Sequence, residues 1–252
     1  MAIKNIQTSH LVHDLKNPVN IIETSARSLL EKPDRYGTMT PGQEKVIKRI
    51  LRNALKLRCL AHNMLEVDQA ALGIMNIAEC TLSRVLKEAF VEVFELVDPL
   101  VSEVLDEAPD VTGFQKILSE NGIFLESDEE QLNRTIYTDG PKLCLIITNL
   151  LSNAFKYRNK NVFLKCTTHN DTVNVSVRDD GPGIPEIYHK QIFDQYFQCI
   201  KAEEFPVRGH GLGLAGALAM AEALGGTLSL CNNPEGVEFV VQIRCHKGAQ
   251  LG

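Results

Sequence analysis

Three short stretches carry side chains whose spacing suits chemistry. In NLLSNAFKY, residues 149–157, Asn149, Asn153, Lys156 and Tyr157 recur at i, i+4, i+7 and i+8. That spacing sets two amides, a cation and a phenol on one face of a helix. Buried polar groups need partners, and mid-helix positions rule out a capping role, so this face is laid out to meet something. Asn amide oxygens are hard donors of the kind that suits Mg²⁺, which keeps several waters and shares substrate phosphates. In DDGPGIP, residues 179–185, Gly181 and Gly183 permit backbone geometry that a side chain would obstruct. In RGHGLGLAGA, residues 208–217, glycines open a helix whose free backbone N–H groups can cradle an anion. Each stretch alone is weak, since D-x-G-x-G is also a plain tight turn. Together, in this order, they describe a nucleotide site.

A fourth stretch, VHDLKNPVN at residues 12–20, sets a histidine beside an acid and a proline five residues further on. On a helical wheel His13 falls opposite the apolar arc of Leu11, Leu15, Pro18, Ile22, Ala26 and Leu29, so a core role fits it poorly. With a reference pKa of ~6.5, much of an exposed imidazole is neutral near pH 7 and has one ring nitrogen free to attack. Taken by itself, an ordinary surface histidine explains the position better.

The elements that must hold these residues divide into two blocks. Residues 3 to 31 have helical periodicity, EKPDRYGTMTPG is a turn-rich break, and a second helix carries Ile47, Ile50, Leu51, Ala54, Ala61 and Leu65 on one stripe. Such a hairpin buries one stripe per helix, and two copies side by side complete a four-helix bundle, so a homodimer is expected. From about residue 73 the texture becomes α+β. LSRVLKEAFVEVFELV reads as a helix, and DPLVSEVLDEA starts another with Asp98 as its cap and Pro99 in first position. NGIFLES and NRTIYTD read as strands, PKLCLIITNLLSNAFKY as a helix, and NVFLKCTTHNDTVNVSVRDD as a hairpin turning at Asn170-Asp171. GLAGALAMAEAL is a last helix, followed by two strands. Between Glu88 and Asp110 the chain has eight acids and no Lys or Arg. This run reads as a solvated face, with a docking surface for a basic partner as the alternative.

Composition narrows the class. The 252 residues, 44% hydrophobic and 23% charged, suit one or two globular domains. A formal charge of −6 argues against nucleic acid as the main partner. Seven scattered cysteines without a CxxC pair read as reduced thiols of a cytosolic protein. No apolar run approaches the roughly 20 residues that cross a bilayer, and the opening residues lack the core of a secretion signal. A cytoplasmic segment without membrane contact is expected.

With these residues in view, the second block resembles the catalytic and ATP-binding domain of two-component sensor histidine kinases, in the GHKL ATPase superfamily. NLLSNAFKY matches the N box, DDGPGIP the G1 box, IFDQYF (192–197) the F box and GHGLGLA the G2 box. The resemblance implies an α/β sandwich with ATP held under a lid at about residues 195–210. It implies that Asn153 is the principal Mg²⁺ ligand with Asn149 beside it, and that Lys156 and Tyr157 lie at the phosphates and base. Asp179 would accept from the adenine amino group, with Gly181, Gly183, Gly209, Gly211, Leu212 and Gly213 forming the backbone cradle. A carboxylate in that place favours ATP over GTP, because guanine presents an acceptor there.

HDLKNP likewise resembles the H box of the dimerisation and phosphotransfer domain, with Val12 where the family usually has Ser. His13 would then be the phosphoacceptor, since His10 is not followed by that string. In-line attack on the γ-phosphorus needs positioning and neutralised phosphate charge more than a strong base. Asp14 is placed to accept the proton from the other ring nitrogen. Asn17, one turn on, would orient water when a phosphorylated response regulator is dephosphorylated. The expected organisation is a dimerisation and phosphotransfer domain over residues 1–72 and a catalytic domain over 73–252. The expected activity is ATP-dependent autophosphorylation of His13 with transfer to an aspartate of a response regulator. The alternatives are a GHKL ATPase doing conformational work, or a phosphotransfer scaffold with an idle ATP fold. The stretch between the second helix and NGIFLES is longer than the family's usual connection.

Overall fold

The computed structural model describes residues 2–194, 197, 213–233 and 236–246. The chain forms two compact units, Met1–Leu72 and Gly73–Gly252.

The first unit is a helical hairpin. Helix α1 spans Ala2–Glu31, a short α2 covers Pro33–Tyr36, and α3 runs Pro41–Ala71. The turn is decided locally. Gly37 adopts φ 83°, and Thr40 caps α3 in a capping box: its side chain accepts from the Gln43 N–H while the Gln43 side chain accepts from the Thr40 N–H. Pro41 occupies the first turn, where its missing N–H costs nothing. Pro18 lies inside α1, which continues through it.

The two helices meet along Val12, Val19 and Ala26 on α1 and Ala54, Leu55 and Ala61 on α3. One polar group joins this seam. Glu23 is 7% exposed, and its carboxylate accepts from Arg27 Nε at 3.2 Å and from Arg58 across the hairpin at 2.9 Å. The apolar arc expected on α1 is divided by the fold. Ala26 is buried, but Leu15 and Ile22 are 46% and 43% exposed, and Ile50 on α3 is 40% exposed. Leu57 and Met64 extend the outward row of Ile50 at heptad spacing, at 52% and 44% exposure. A helical wheel merges two adjacent seams into one arc, whereas a single hairpin covers only one of them.

The second unit is a sheet layered with helices. In chain order it contains β1 (Ala78–Thr81), α4 (Leu82–Val97), α5 (Pro99–Asp106), α6 (Val111–Glu120), β2 (Ile123–Leu125), α7 (Glu129–Asn133) and β3 (Thr135–Thr138). It continues with α8 (Gly140–Tyr157), β4 (Val162–His169), β5 (Thr172–Asp179), α9 (Gly213–Ala223), β6 (Thr227–Asn233) and β7 (Gly236–Arg244). Strands β1 and β3 pair antiparallel as a small sheet. The main sheet runs β2-β4-β5-β7-β6, with β2 parallel to β4 and the other pairs antiparallel. Strict alternation along β5 puts Val173, Val175 and Val177 inward. They join Val162, Leu164, Phe239, Val241 and Ile243 from the neighbouring strands in a core with α4, α8 and α9. Asn170 takes φ 52° at the β4–β5 turn, as its Asn-Asp sequence suggested.

Several elements escaped the sequence reading. Strand β1 and helices α6 and α7 were not anticipated, and α5 with α6 fills the long connection before β2. Asp98 does cap α5, accepting from the Leu100 N–H at 3.2 Å. The acidic run is only partly a bare face: Glu88 pairs with Arg84 at 2.9 Å, and Glu92 accepts from Thr148 at 3.2 Å. Among the described residues no helix is long and apolar enough to cross a membrane.

Candidate functional site

Helix α8 holds most of the site, and its start is fixed deep in the fold. Asp139 caps it by accepting from the Lys142 N–H at 3.1 Å. The same carboxylate pairs with the Lys142 ammonium at 3.0 Å and accepts from the Asn76 N–H at 2.8 Å. Both partners of the pair are almost wholly buried. A buried ion pair is tolerated only when hydrogen bonds satisfy it, and here they do. Leu143, Ile146, Ile147, Leu150, Leu151 and Ala154 take the apolar face of α8 into the core. That leaves Asn149, Asn153, Lys156 and Tyr157 half-buried on the remaining face, as their spacing implied.

The structure brings this face against two of the other stretches. At the head of α9, a Cβ on Gly213 would lie 3.1 Å from Asn149 Oδ1, so Asn149 and the α9 N-terminus abut. Asn149 Nδ2 is buried with no hydrogen-bond partner among the described residues. A buried amide N–H calls for an acceptor, and its place beside the α9 head makes it a candidate ligand contact. From the other side, Gly181 presses on the end of α8. A Cβ there would collide with the Tyr157 carbonyl oxygen and stand 2.7 Å from Asp179 Oδ1. Only glycine allows β5 to leave the sheet this close to α8. The Lys156 ammonium rests 4.7 Å from the centre of the Tyr157 ring.

Asp179 ends β5 at 5% exposure, and its Oδ1 accepts from the Gly181 N–H at 2.8 Å. Burial pushes its carboxyl above the usual carboxylate range; the N–H groups of Gly181 and Val237 draw it partly back, and the neighbouring Asp180 charge adds to the rise. This is an acceptor held almost out of water, with bonding capacity to spare for one more donor. Asp180 behaves in the opposite way. Desolvation raises its carboxyl, but the N–H groups of Lys160, Asn161 and Asn159, with its own, together hold it below the ordinary value.

Sequence reasoning missed two residues here. In the sequence Asp180 is only the second letter of DDGPGIP. Gly236, at the start of β7, sits so close to the Asp179 carbonyl that a Cβ would overlap it, and its φ of 137° suits glycine alone. No pattern in the surrounding residues marks either one; the doubled acid at 179–180 was the only visible signal. Gly183 takes φ 80°, consistent with its place in the turn. Gly209, Gly211, Leu212 and the expected lid at 195–210 lie outside the described residues, Phe197 excepted. Within the F box, Ile192 is buried and the Phe193 ring meets Phe239 edge-on at 6.3 Å.

The expected phosphotransfer residues lie on α1 in the first unit. Asp14 and Asn17 are exposed there; His13 is on the same helix, and its side chain lies outside the described residues. Among the described residues no three His, Cys, Asp or Glu side chains gather to hold a metal. The hard donor that the structure places beside the α9 head is Asn149 Oδ1.

Comparison with known proteins agrees with this geometry. Residues 138–247 match the family described as Histidine kinase-, DNA gyrase B-, and HSP90-like ATPase. The chain is 28% identical to the sensor histidine kinase YkoH of Bacillus subtilis over 94% of its length and 46% of that protein. It is 27% identical to the sensor protein KdpD of Escherichia coli, covering 93% of this chain and 23% of that one. The chain thus spans less than half the length of these relatives. Among solved structures, full-length ShkA, crystallised with AMPPNP, superimposes with a TM-score of 0.64 at 21% identity, over 96% of this chain and 46% of that chain. The Acinetobacter baumannii histidine kinase AdeS gives 0.55 at 18% identity, over 93% and 98% of the two chains. Residues 138–247 thus carry a Histidine kinase-, DNA gyrase B-, and HSP90-like ATPase domain, and over nearly its whole length the chain is similar to sensor histidine kinases.

Proposed function

We propose that the chain is an ATP-dependent protein-histidine kinase that phosphorylates its own His13 and passes the phosphoryl group to an aspartate of a response regulator. The observation that carries this is the buried Asp179 acceptor, held within reach of a helix face whose Asn149 amide has no partner among the described residues. A buried carboxylate with a free lone pair suits the exocyclic amino group of adenine. The amides of Asn149 and Asn153, the Lys156 ammonium and the Gly213 helix terminus suit a triphosphate. Those amides fit Mg²⁺, which when bound would neutralise phosphate charge.

In the proposed reaction the triphosphate is oriented by Lys156 and the backbone N–H groups at the head of α9. A neutral His13 nitrogen attacks the γ-phosphorus in line, a P–N bond forms, the bond to the β-phosphate oxygen breaks, and ADP leaves. Asp14 accepts the proton shed by the other ring nitrogen. Asn17, exposed one turn further on, holds a water with both a donor and an acceptor for the reverse traffic, hydrolysis of the regulator's aspartyl phosphate. The reaction takes place in the cytoplasm, where ATP and the regulator meet.

Two outward rows support a homodimer. Leu15 and Ile22 on α1, and Ile50, Leu57 and Met64 on α3, are exposed apolar side chains at heptad spacing. A second hairpin packed on them completes a four-helix bundle. The test is incubation with γ-labelled ATP and Mg²⁺. An acid-labile, alkali-stable phosphoprotein is expected from the wild type and none from His13→Ala. Label persisting in the variant excludes the assignment.

A further inference from the structure

Between α8 and β4 the chain turns through Asn159, Lys160 and Asn161, three consecutive residues whose N–H groups all point at one carboxylate. Asn159 and Lys160 donate to Asp180 Oδ1 and Asn161 to Oδ2, each at 2.9 Å. The Asp180 N–H returns to the Asn161 carbonyl at 3.4 Å, closing the clamp. Two further bonds steady the same turn: the Asn159 side-chain amide donates to the Asp180 carbonyl, and the Arg158 guanidinium donates to the Asn121 carbonyl at 3.2 Å.

The position of this clamp gives it a use. The two halves of the nucleotide face come from different elements: the base acceptor Asp179 from the end of β5, and the amides, Lys156 and Tyr157 from α8. Asp180 is bonded covalently to the first half. Through the turn it grips the residues directly following the second. Gly181, pressed on the Tyr157 carbonyl, sets how closely the two halves approach, and the three N–H bonds to Asp180 set their register.

We propose that Asp180 is a positioning residue for the nucleotide, fixing the last turn of α8 in register with Asp179 so that base and phosphate groups are met together. This rests on the ATP reading of the site. A carboxylate is specifically required. Two oxygens with about four lone-pair sites accept three N–H donors, whereas an amide has one acceptor oxygen and would turn its NH₂ against a backbone N–H. A purely structural clamp would lower stability; a positioning clamp lowers affinity in protein that remains folded.

The experiment compares the wild-type chain, Asp180→Asn, Asp180→Ala and, as an exposed acid on α7 away from this turn, Glu130→Gln. Mg²⁺–ATP affinity is measured by calorimetry well below the unfolding temperature, with circular dichroism reporting the folded fraction and autophosphorylation giving KM and kcat. Loss of one charge-assisted hydrogen bond to the nucleotide weakens binding by about 10- to 150-fold. Asp180→Ala is therefore expected to raise Kd and KM for ATP by about 10- to 100-fold, with kcat at saturating ATP retained, the signature of lost ground-state binding. Asp180→Asn should fall between alanine and wild type, and Glu130→Gln should match wild type. Unchanged affinity in folded Asp180→Ala overturns the proposal, as does a loss accounted for by the unfolded fraction. If the alanine variant does not fold, the near-isosteric asparagine variant decides by the same criteria. Wild type that fails to bind ATP overturns the functional reading and this inference together; wild type and alanine binding equally well overturns this inference alone.

Discussion

Replacing Asp179 with asparagine separates what this side chain does for the fold from what it does for the ligand. In the wild type its carboxylate is 5% exposed and already accepts from the Gly181 N–H at 2.8 Å. On the proposed reading the remaining lone pairs take the adenine amino group. A hydrogen bond to a charged group contributes about 1.5–3 kcal/mol, and an amide spends its one oxygen on Gly181 and presents a donor to the adenine donor. ATP affinity should therefore fall by at least about 10- to 150-fold, at 1.4 kcal/mol per tenfold. Stability should move the other way. Burial raises the folded-state carboxyl above its unfolded value, so within that window the folded chain holds more protons than the unfolded one. Wild-type stability thus falls as pH rises from the unfolded value of about 3.9 through the raised one, and stays lowered at neutral pH. The uncharged variant escapes this loss. Without nucleotide it should melt at or above the wild-type temperature at pH 7, with the difference shrinking toward pH 4. Saturating ATP should raise the melting temperature of wild type and not of the variant. GTP should stabilise the wild type far less than ATP. A variant that keeps wild-type ATP affinity, or a wild type indifferent between ATP and GTP, refutes the reasoning.

Other outcomes follow from the same geometry. Gly181→Ala drives a methyl into the Tyr157 carbonyl and to 2.7 Å from Asp179 Oδ1; overpacking costs about 1–3 kcal/mol, and calorimetry should show weakened ATP binding with a lowered melting temperature. Glu23→Ala removes the carboxylate shared by Arg27 and Arg58 and should cost about 1–3 kcal/mol in chemical denaturation, with Glu23→Gln in between; an unchanged midpoint for alanine would show that the seam does not need it. Leu57→Glu places a charge in the outward row of α3 and should shift the particle mass toward the monomer by light scattering while helicity is retained. Asn17→Ala should slow dephosphorylation of the phosphorylated regulator while autophosphorylation survives, and equal dephosphorylation by both proteins would count against the role given to Asn17.

Much of the framework is legible along the chain because it is recorded in local terms. The periodicity of α8 places Asn149, Asn153, Lys156 and Tyr157 on one face whatever the helix packs against, and the turn at Asn170-Asp171 follows from the tolerance of Asn for positive φ. Capping works within a few residues, so Asp98-Pro99 announces α5 and Thr40-Pro41 starts α3. Shorter pieces lack such a record: β2 has three residues and α7 five, too few for periodicity to show.

What depends on partners distant in the chain was decided by the tertiary structure. An apolar arc on α1 cannot say which of its side chains meet α3 and which face outward, and the fold buries Val12 and Val19 while leaving Leu15 and Ile22 outside. The parallel pairing of β2 with β4 joins segments almost forty residues apart, a choice made by the whole core. Asp179 and Asp180 are adjacent and identical in type, yet one is buried and pushed up while the other is gripped by three N–H groups and held down. The residue types present at a site are set by sequence, but desolvation and hydrogen-bond geometry arise only when separate segments are packed together, and those two quantities give each acid its chemistry.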